Sequence, residues 1–266
     1  MQNAPVYTGT MGWSYEDWRG PFYERGLAAA KMLEQYARVL PTIELDSTFY
    51  GFPRRETLAG WQAQTPPDFR FSAKVPRAVT HERRLIGAAE MGRDFARLLT
   101  EGLDDQLCAL LLQLPPDLSA EERPALEEFI EGVTAPRAGL PANTPWVVEF
   151  RNATWQETDI AAWLAERGVV TATTERLDLG GPLRYVRLLG TENSVARFDA
   201  VQIDRAADLD AWAARIDTAR QEAPDPIFVY VRNFFEGHAP ATIAKLRDRL
   251  GLPNATPPGQ QQMSLF

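Results

Sequence analysis

Ionisable side chains recur at the ends of apolar stretches with a spacing of two. Ile43 and Leu45 alternate with Glu44 and Asp46, Phe71 and Ala73 with Ser72 and Lys74, and Val148 and Phe150 with Glu149 and Arg151, while Val186 and Leu188 flank Arg187. In a strand, that period puts the apolar residues on one face and the charged ones on the other. Gln113 and Asn233 sit at comparable ends of two further stretches. Lys74, Arg151 and Arg187 together suit an anion, most simply a phosphate, and Glu44 or Glu149 can then serve as general base. His81, just beyond the stretch that ends in Lys74, suits proton transfer near neutrality. Glu44, Lys74, Glu149 and His81 are therefore the candidate catalytic residues. Trp13, Tyr15, Trp18, Phe49, Tyr50, Trp155, Phe234 and Phe235 follow predicted strands, where aromatic faces can stack on a base or a sugar. Trp13, Tyr50, Gln113, Arg151, Trp155, Arg187 and Asn233 are taken as candidate binding residues.

Other chemistries use the same residues. The charged set can be a self-satisfied ion network with Glu44 paired to Lys74 and Glu149 to an arginine. Glu44 and Glu149 also fit a glycosidase, which needs two carboxylates flanking the scissile bond; a position on nearly opposite strands favours the wider, inverting separation. A Schiff base on Lys74 is disfavoured, because a neighbouring glutamate raises the lysine pKa. Zinc clusters of barrel nucleases draw on several histidines, and this chain has two, His81 and His238. No metal ligands are assigned. A single Mg²⁺ on Glu44, Asp46 or Glu149 stays open, since oxygen ligands suffice, and no organic-cofactor motif is present.

The elements that must position these groups are legible as alternating patterns. Strand-like segments fall at 6–10, 42–45, 69–74, 107–113, 146–150, 169–173, 184–188 and 227–231. Helical spacing of apolar residues separates them, as at 31–39, 93–99 and 208–220. Ser119 to Glu122 reads as a capping box, and Thr158 and Asp159 can cap the helix that follows. Eight strand-then-helix units predict an α/β fold, a (β/α)8 TIM-type barrel, with active groups at the C-terminal strand ends. The sixth unit has too few residues for a full helix. Residues 1–253 are predicted to form this single domain and 254–266 a flexible tail. Cys108 lies in an apolar run and reads as a core residue rather than a nucleophile.

Larger motifs carry a resemblance. Gly9-Thr10-Met11-Gly12-Trp13-Ser14-Tyr15 with Trp18, Glu44-Leu45-Asp46-Ser47-Thr48-Phe49-Tyr50, Phe71-Ser72-Ala73-Lys74-Val75-Pro76 with Thr80-His81, Leu112-Gln113-Leu114-Pro115-Pro116, and Glu149-Phe150-Arg151 with Trp155 resemble the YecE-like family, domain of unknown function 72. The resemblance implies a TIM-type barrel and brings no established activity. Two places depart from the family pattern: Leu45-Asp46 stands where Ile or Val before Asn is expected, and Val231-Arg232-Asn233-Phe234 replaces an aromatic-Asn-Asn run.

The tail carries a second resemblance. Gln262-Met263-Ser264-Leu265-Phe266 is similar to the bacterial sliding-clamp-binding pentapeptide, in which apolar anchors dock in a preformed groove. Pro257, Pro258 and Gly259 precede it, in a segment too polar to build a core. The resemblance implies the DNA sliding clamp as a partner and a place in DNA replication or repair. With 28 basic against 36 acidic residues and a net charge of -8, the chain is poorly suited to strong autonomous duplex binding, and tethering would supply the missing local concentration. A membrane partner is not expected, as no apolar run reaches the ~18 residues of a span, and the start of the chain lacks a signal-peptide pattern, which predicts a cytoplasmic protein. The leading expectation is a clamp-recruited enzyme acting on a nucleic acid or nucleotide-like phosphate. The alternatives are a non-catalytic clamp-associated ligand-binding module and a carbohydrate-active hydrolase with an incidental tail.

Overall fold

The computed structural model describes residues 3–135, 139–141 and 144–263. Its strands are β1 (Val6–Met11), β2 (Thr42–Leu45), β3 (Arg70–Lys74), β4 (Leu107–Gln113), β5 (Trp146–Glu149), β6 (Val170–Thr171), β7 (Thr173–Thr174), β8 (Tyr185–Leu188) and β9 (Ile227–Val231). They belong to one sheet in the order β6-β5-β4-β3-β2-β1-β9-β8-β7. The β1/β2, β1/β9, β3/β4, β4/β5, β5/β6 and β8/β9 ladders are all parallel. Parallel strands joined through helices in this order make an α/β fold of the TIM-barrel type. Eight strands were expected; the sixth is split, because regular strand geometry breaks at Ala172 and leaves two-residue pieces on either side.

The helices are α1 (Met32–Ala37), α2 (Arg55–Ala63), α3 (Ala89–Leu103), α4 (Arg123–Thr134), α5 (Ile160–Ala165), α6 (Ala206–Glu222), α7 (Ala239–Arg249) and α8 (Pro258–Met263). Among the described residues none is long and apolar enough to cross a membrane. Between β7 and β8 there is no helix, in keeping with the abbreviated sixth unit.

Contacts divide the chain into two compact units, 1–44 with 63–69 and 182–266, and 45–62 with 70–181. In the first, Tyr36 of α1 ties strands together: its hydroxyl donates to the Thr42 carbonyl at 2.9 Å and accepts the Thr10 amide at 2.9 Å. The loops after β8 and β9 are laced backbone to backbone. Gln202 and Ile203 donate to the Glu236 carbonyl at 2.7 and 3.1 Å. Gly190 takes a positive φ of 67°, and a Cβ there would lie 2.2 Å from the Phe234 carbonyl oxygen, so only glycine allows the loops to approach this closely.

The expected tail is irregular from 252 to 257 and then forms α8. Pro258 opens the helix, where its missing N–H costs nothing. The Gly259 amide donates to the Phe22 carbonyl at 3.0 Å. A Cβ on Gly259 would stand 2.3 Å and 2.4 Å from the carbonyl oxygens of Gly20 and Tyr23, which explains why a polar, glycine-containing segment seats on the loop after β1.

In the second unit, α3 buries Phe95, Ala96, Leu99 and Leu103, and α4 buries Leu126, Phe129, Ile130 and Val133, each at helical spacing. Phe129 meets Trp146 of β5 edge to face at 5.9 Å. The predicted capping box is formed: Ser119 Oγ accepts from the Glu121 amide at 3.3 Å, and the Glu122 carboxylate accepts from the Ser119 amide at 3.2 Å. Before α5, Thr158 Oγ1 accepts from the Ile160 amide at 3.4 Å, whereas the Asp159 carboxylate is drawn away to Arg123.

Candidate functional site

In the second unit, the C-terminal ends of β3, β4 and β5 and the turns after them bring several of the singled-out residues into one neighbourhood. Lys74 ends β3, and its Nζ lies 4.1 Å from the centroid of the Phe49 ring, a cation–π contact that fixes an otherwise flexible ammonium. Phe49 comes from the single-turn segment Ser47–Tyr50, which Thr48 fastens to β3 by donating to the Lys74 carbonyl at 2.7 Å. The other edge of this aromatic group is Tyr50, 78% exposed and 5.5 Å from Phe49. Gln113 and Glu149 are register partners on β4 and β5, and Gln113 Nε2 donates to Glu149 Oε1 at 2.8 Å. Glu149 as a residue is 1% exposed. Arg151, two residues on, is exposed.

His81 stands on a π-helical turn, Ala78–Glu82, directly after β3. Such turns are rare and concentrate at functional positions. The imidazole packs edge-on against Phe49 at 5.1 Å, and its Nδ1 lies 2.8 Å from Thr80 Oγ1. Burial, followed by the charges of Lys74, Arg151 and Arg77, holds the imidazole below its ordinary value, with Asp117 opposing. Three cations thus act on one imidazole.

Glu44 belongs to a different constellation, in the first unit. The carboxylate is completely buried and takes a bidentate pair from Arg187, Nη2 to Oε1 at 2.7 Å and Nε to Oε2 at 3.0 Å. Tyr185 adds a hydroxyl donor to Oε2 at 2.7 Å. Arg187 also approaches Met11 Sδ at 3.4 Å. Strand parity placed both charges inward, and β2 and β8 deliver them to one another.

Two candidates, Trp155 and Asn233, are built into the packing. Trp155 is fully buried, stacks at a tilt on Phe150 with centroids 4.8 Å apart and donates its indole N–H to the Leu118 carbonyl at 3.0 Å. The short helix Ala153–Glu157 turns the ring inward, so it is a core residue rather than an open stacking wall. Asn233 is buried, and its Oδ1 accepts from Trp18 Nε1 at 3.3 Å and the Ala239 amide at 3.0 Å, which anchors the start of α7. Trp13 is half-buried, and its carbonyl accepts the Tyr23 hydroxyl at 2.7 Å. Of the terminal peptide, Gln262 and Met263 complete the backbone of α8, while Ser264, Leu265 and Phe266 lie outside the described residues. Among the described residues no group of three or more His, Cys, Asp or Glu side chains comes together to hold a metal ion.

His238 caps α7, its Nδ1 accepting from the Ala241 amide at 3.3 Å. Its Nε2 is buried and has no partner among the described residues. Burial pushes the imidazole from 6.5 to about 4, with Asp199 opposing. A depressed histidine stabilises the fold fully above the unfolded value near 6.5 and loses that contribution as pH falls through the folded value, because only the unfolded chain takes up the proton. Urea midpoints measured from pH 7 to pH 4 are expected to fall. His238→Asn, which keeps a side-chain cap, should flatten part of that decline; an unchanged slope would assign the acid sensitivity to other groups.

Thr80 and the π-helical turn were not among the residues singled out for chemistry, although the Thr80-His81 pair is visible in the sequence. A threonine next to a histidine signals nothing without the backbone that joins their side chains.

The fold and these strand-end groups define an α/β-barrel protein with a cation–aromatic neighbourhood on its second unit. The chain belongs to the family described as "Protein of unknown function DUF72", whose sequence profile matches residues 7–264. Among curated relatives, it is 28% identical over 169 residues to the UPF0759 protein YecE of Escherichia coli K12, an alignment covering 62% of this chain and 57% of the relative. It is 29% identical over 157 residues to the UPF0759 protein YunF of Bacillus subtilis, covering 56% and 52%. The chain thus matches little more than half the length of these relatives. Among solved structures, a DUF72 family protein of Thermotoga maritima superposes with a TM-score of 0.75 at 23% identity, covering 93% of this chain and 99% of that one. One from Enterococcus faecalis superposes with a TM-score of 0.71 at 19% identity, covering 94% and 97%. These likenesses support the fold.

Proposed function

We propose that the second unit binds a phosphate-bearing ligand, a nucleic acid or a nucleotide-like molecule, and acts on it when delivered by the DNA sliding clamp in replication or repair. The observation that carries this reading is the Lys74 ammonium 4.1 Å over the Phe49 ring beside the exposed Tyr50, with Arg77 and Arg151 adding positive charge around His81. In a chain of net charge -8, a local cation group next to aromatic faces suits a phosphate attached to a base or sugar. Lys74 and Arg151 contact the anion, Tyr50 supplies a stacking face, Glu149, oriented by Gln113, is the candidate base, and His81, packed on Phe49, is a second group for proton transfer. Clamp delivery rests on the peptide Gln262-Met263-Ser264-Leu265-Phe266.

A carbohydrate hydrolase using Glu44 and Glu149 is less well supported, since both Glu44 oxygens already accept hydrogen bonds from Arg187 and Tyr185. The non-catalytic binding module shares every contact named above and differs only in turnover. Two measurements test the reading. Single-stranded, nicked and damaged oligonucleotides and nucleotides, screened with and without divalent metals, should bind and be converted; binding without conversion favours the module, and the absence of both binding and conversion across the screen overturns the proposal. Purified clamp should bind the intact protein and lose at least tenfold in affinity for Leu265→Ala with Phe266→Ala, whereas equal affinities would remove the clamp from the scheme.

A further inference from the structure

The π-helical turn after β3 places two side chains in a relation that an α-helical turn does not give to sequence neighbours. Thr80 Oγ1 lies 2.8 Å from His81 Nδ1 and 3.5 Å from the Pro76 carbonyl oxygen. A hydroxyl has a single proton to give, and the carbonyl can only accept. If Thr80 donates to Pro76, it accepts from His81 Nδ1–H, a short hydrogen bond at 2.8 Å, and makes a long, weak one to a carbonyl that also accepts the Val79 and Thr80 amides. If it donates to His81 instead, the Pro76 contact holds no proton. The first arrangement satisfies the buried hydroxyl twice. It also leaves the lone pair on Nε2, and the positive charges of Lys74, Arg77 and Arg151 acting on the ring favour an acceptor over another donor.

We infer that Thr80 is a positioning residue which fixes His81 in the tautomer protonated on Nδ1, so that Nε2 accepts a hydrogen bond from a hydroxyl, amine or water of the bound ligand. This deepens the proposed reading and rests on it for the ligand, but not for the tautomer. It sorts the ligand's groups by chemistry: the anionic oxygens go to Lys74 and Arg151, and a donor goes to His81. The groups that face the imidazole are Phe49 from the turn after β2, Lys74 from β3, Arg77 from the start of the π-helical turn, Asp117 beyond β4 and Arg151 beyond β5. Four of these five are charged, and three of those four are cations, which disfavours a second proton on the ring.

The chain has two histidines, which makes the test direct. Long-range nitrogen–proton NMR spectra of the full-length protein at pH 7.5 or so report the tautomer of each ring, and His81→Gln assigns the signals. The expected spectrum of His81 has a protonated Nδ1 and an acceptor-type Nε2; a protonated Nε2 in the unsubstituted protein overturns the inference without reference to any ligand. Thr80→Val should move both nitrogen shifts toward the average of a mixed population, and Thr80→Ser should restore them. A Thr80→Val spectrum identical to that of the unsubstituted protein also overturns it. If Thr80→Val does not fold, the unsubstituted protein and Thr80→Ser decide. Inorganic phosphate titrated into Thr80→Ser should bind within about twofold of the original, so that a failure of phosphate binding is charged to the broader proposal and not to the tautomer.

Discussion

Arg187→Met is expected to cost the fold about 3–5 kcal/mol, the penalty of leaving one member of a buried pair without its partner. The guanidinium supplies two of the hydrogen bonds on Glu44, and neither side chain has more than 3% of its surface exposed. The loss should appear as a lower urea midpoint with an unchanged slope. Adding Glu44→Gln to Arg187→Met should recover part of it, because the stranded charge is gone, whereas either single change keeps one side unmatched. A loss below about 1 kcal/mol for Arg187→Met would mean that the pair is no structural tie, and Glu44 would return as a candidate for chemistry.

Lys74→Met is expected to weaken phosphate or oligonucleotide binding roughly tenfold to a hundredfold, since a charge-assisted hydrogen bond is worth about 1.5–3 kcal/mol. Methionine retains most of the lysine stem and can still pack on Phe49, so the substitution removes charge more than shape. Fluorescence anisotropy at fixed salt measures the change, and repeating it at several salt concentrations should show a shallower dependence. Arg215→Ala, which removes an exposed cation stacked on Trp212 in the first unit, is the control and should leave affinity within twofold. Equal losses in both variants would point to general electrostatics; no loss in Lys74→Met would empty the proposed anion contact.

The fold was legible because period-two and helical patterns alternate cleanly, and the parity of Glu44, Lys74, Glu149 and Arg187 relative to their apolar neighbours could be read directly. The partners of those charges could not. Glu44 and Arg187 are 143 residues apart in sequence and meet through strand order, which no local pattern encodes. Trp155 follows a strand as a ligand-facing aromatic would, yet the direction taken by the next turn sends it into the core. The π-helical turn that joins Thr80 to His81 differs from an α-turn by one residue of hydrogen-bond spacing, and side-chain types do not report that difference. The split of the sixth strand at Ala172 is a matter of backbone geometry with no composition signature.

Gly190 has a bearing on motion. Because a side-chain-free residue lets the loop after β8 lie against the carbonyl of Phe234, and Gln202 and Ile203 both bond to Glu236, these two connections cannot be displaced separately without breaking backbone hydrogen bonds. They act as a stiff parapet and not as a pair of doors. Hydrogen exchange in 190–203 and 233–237 should slow together as one cooperative block.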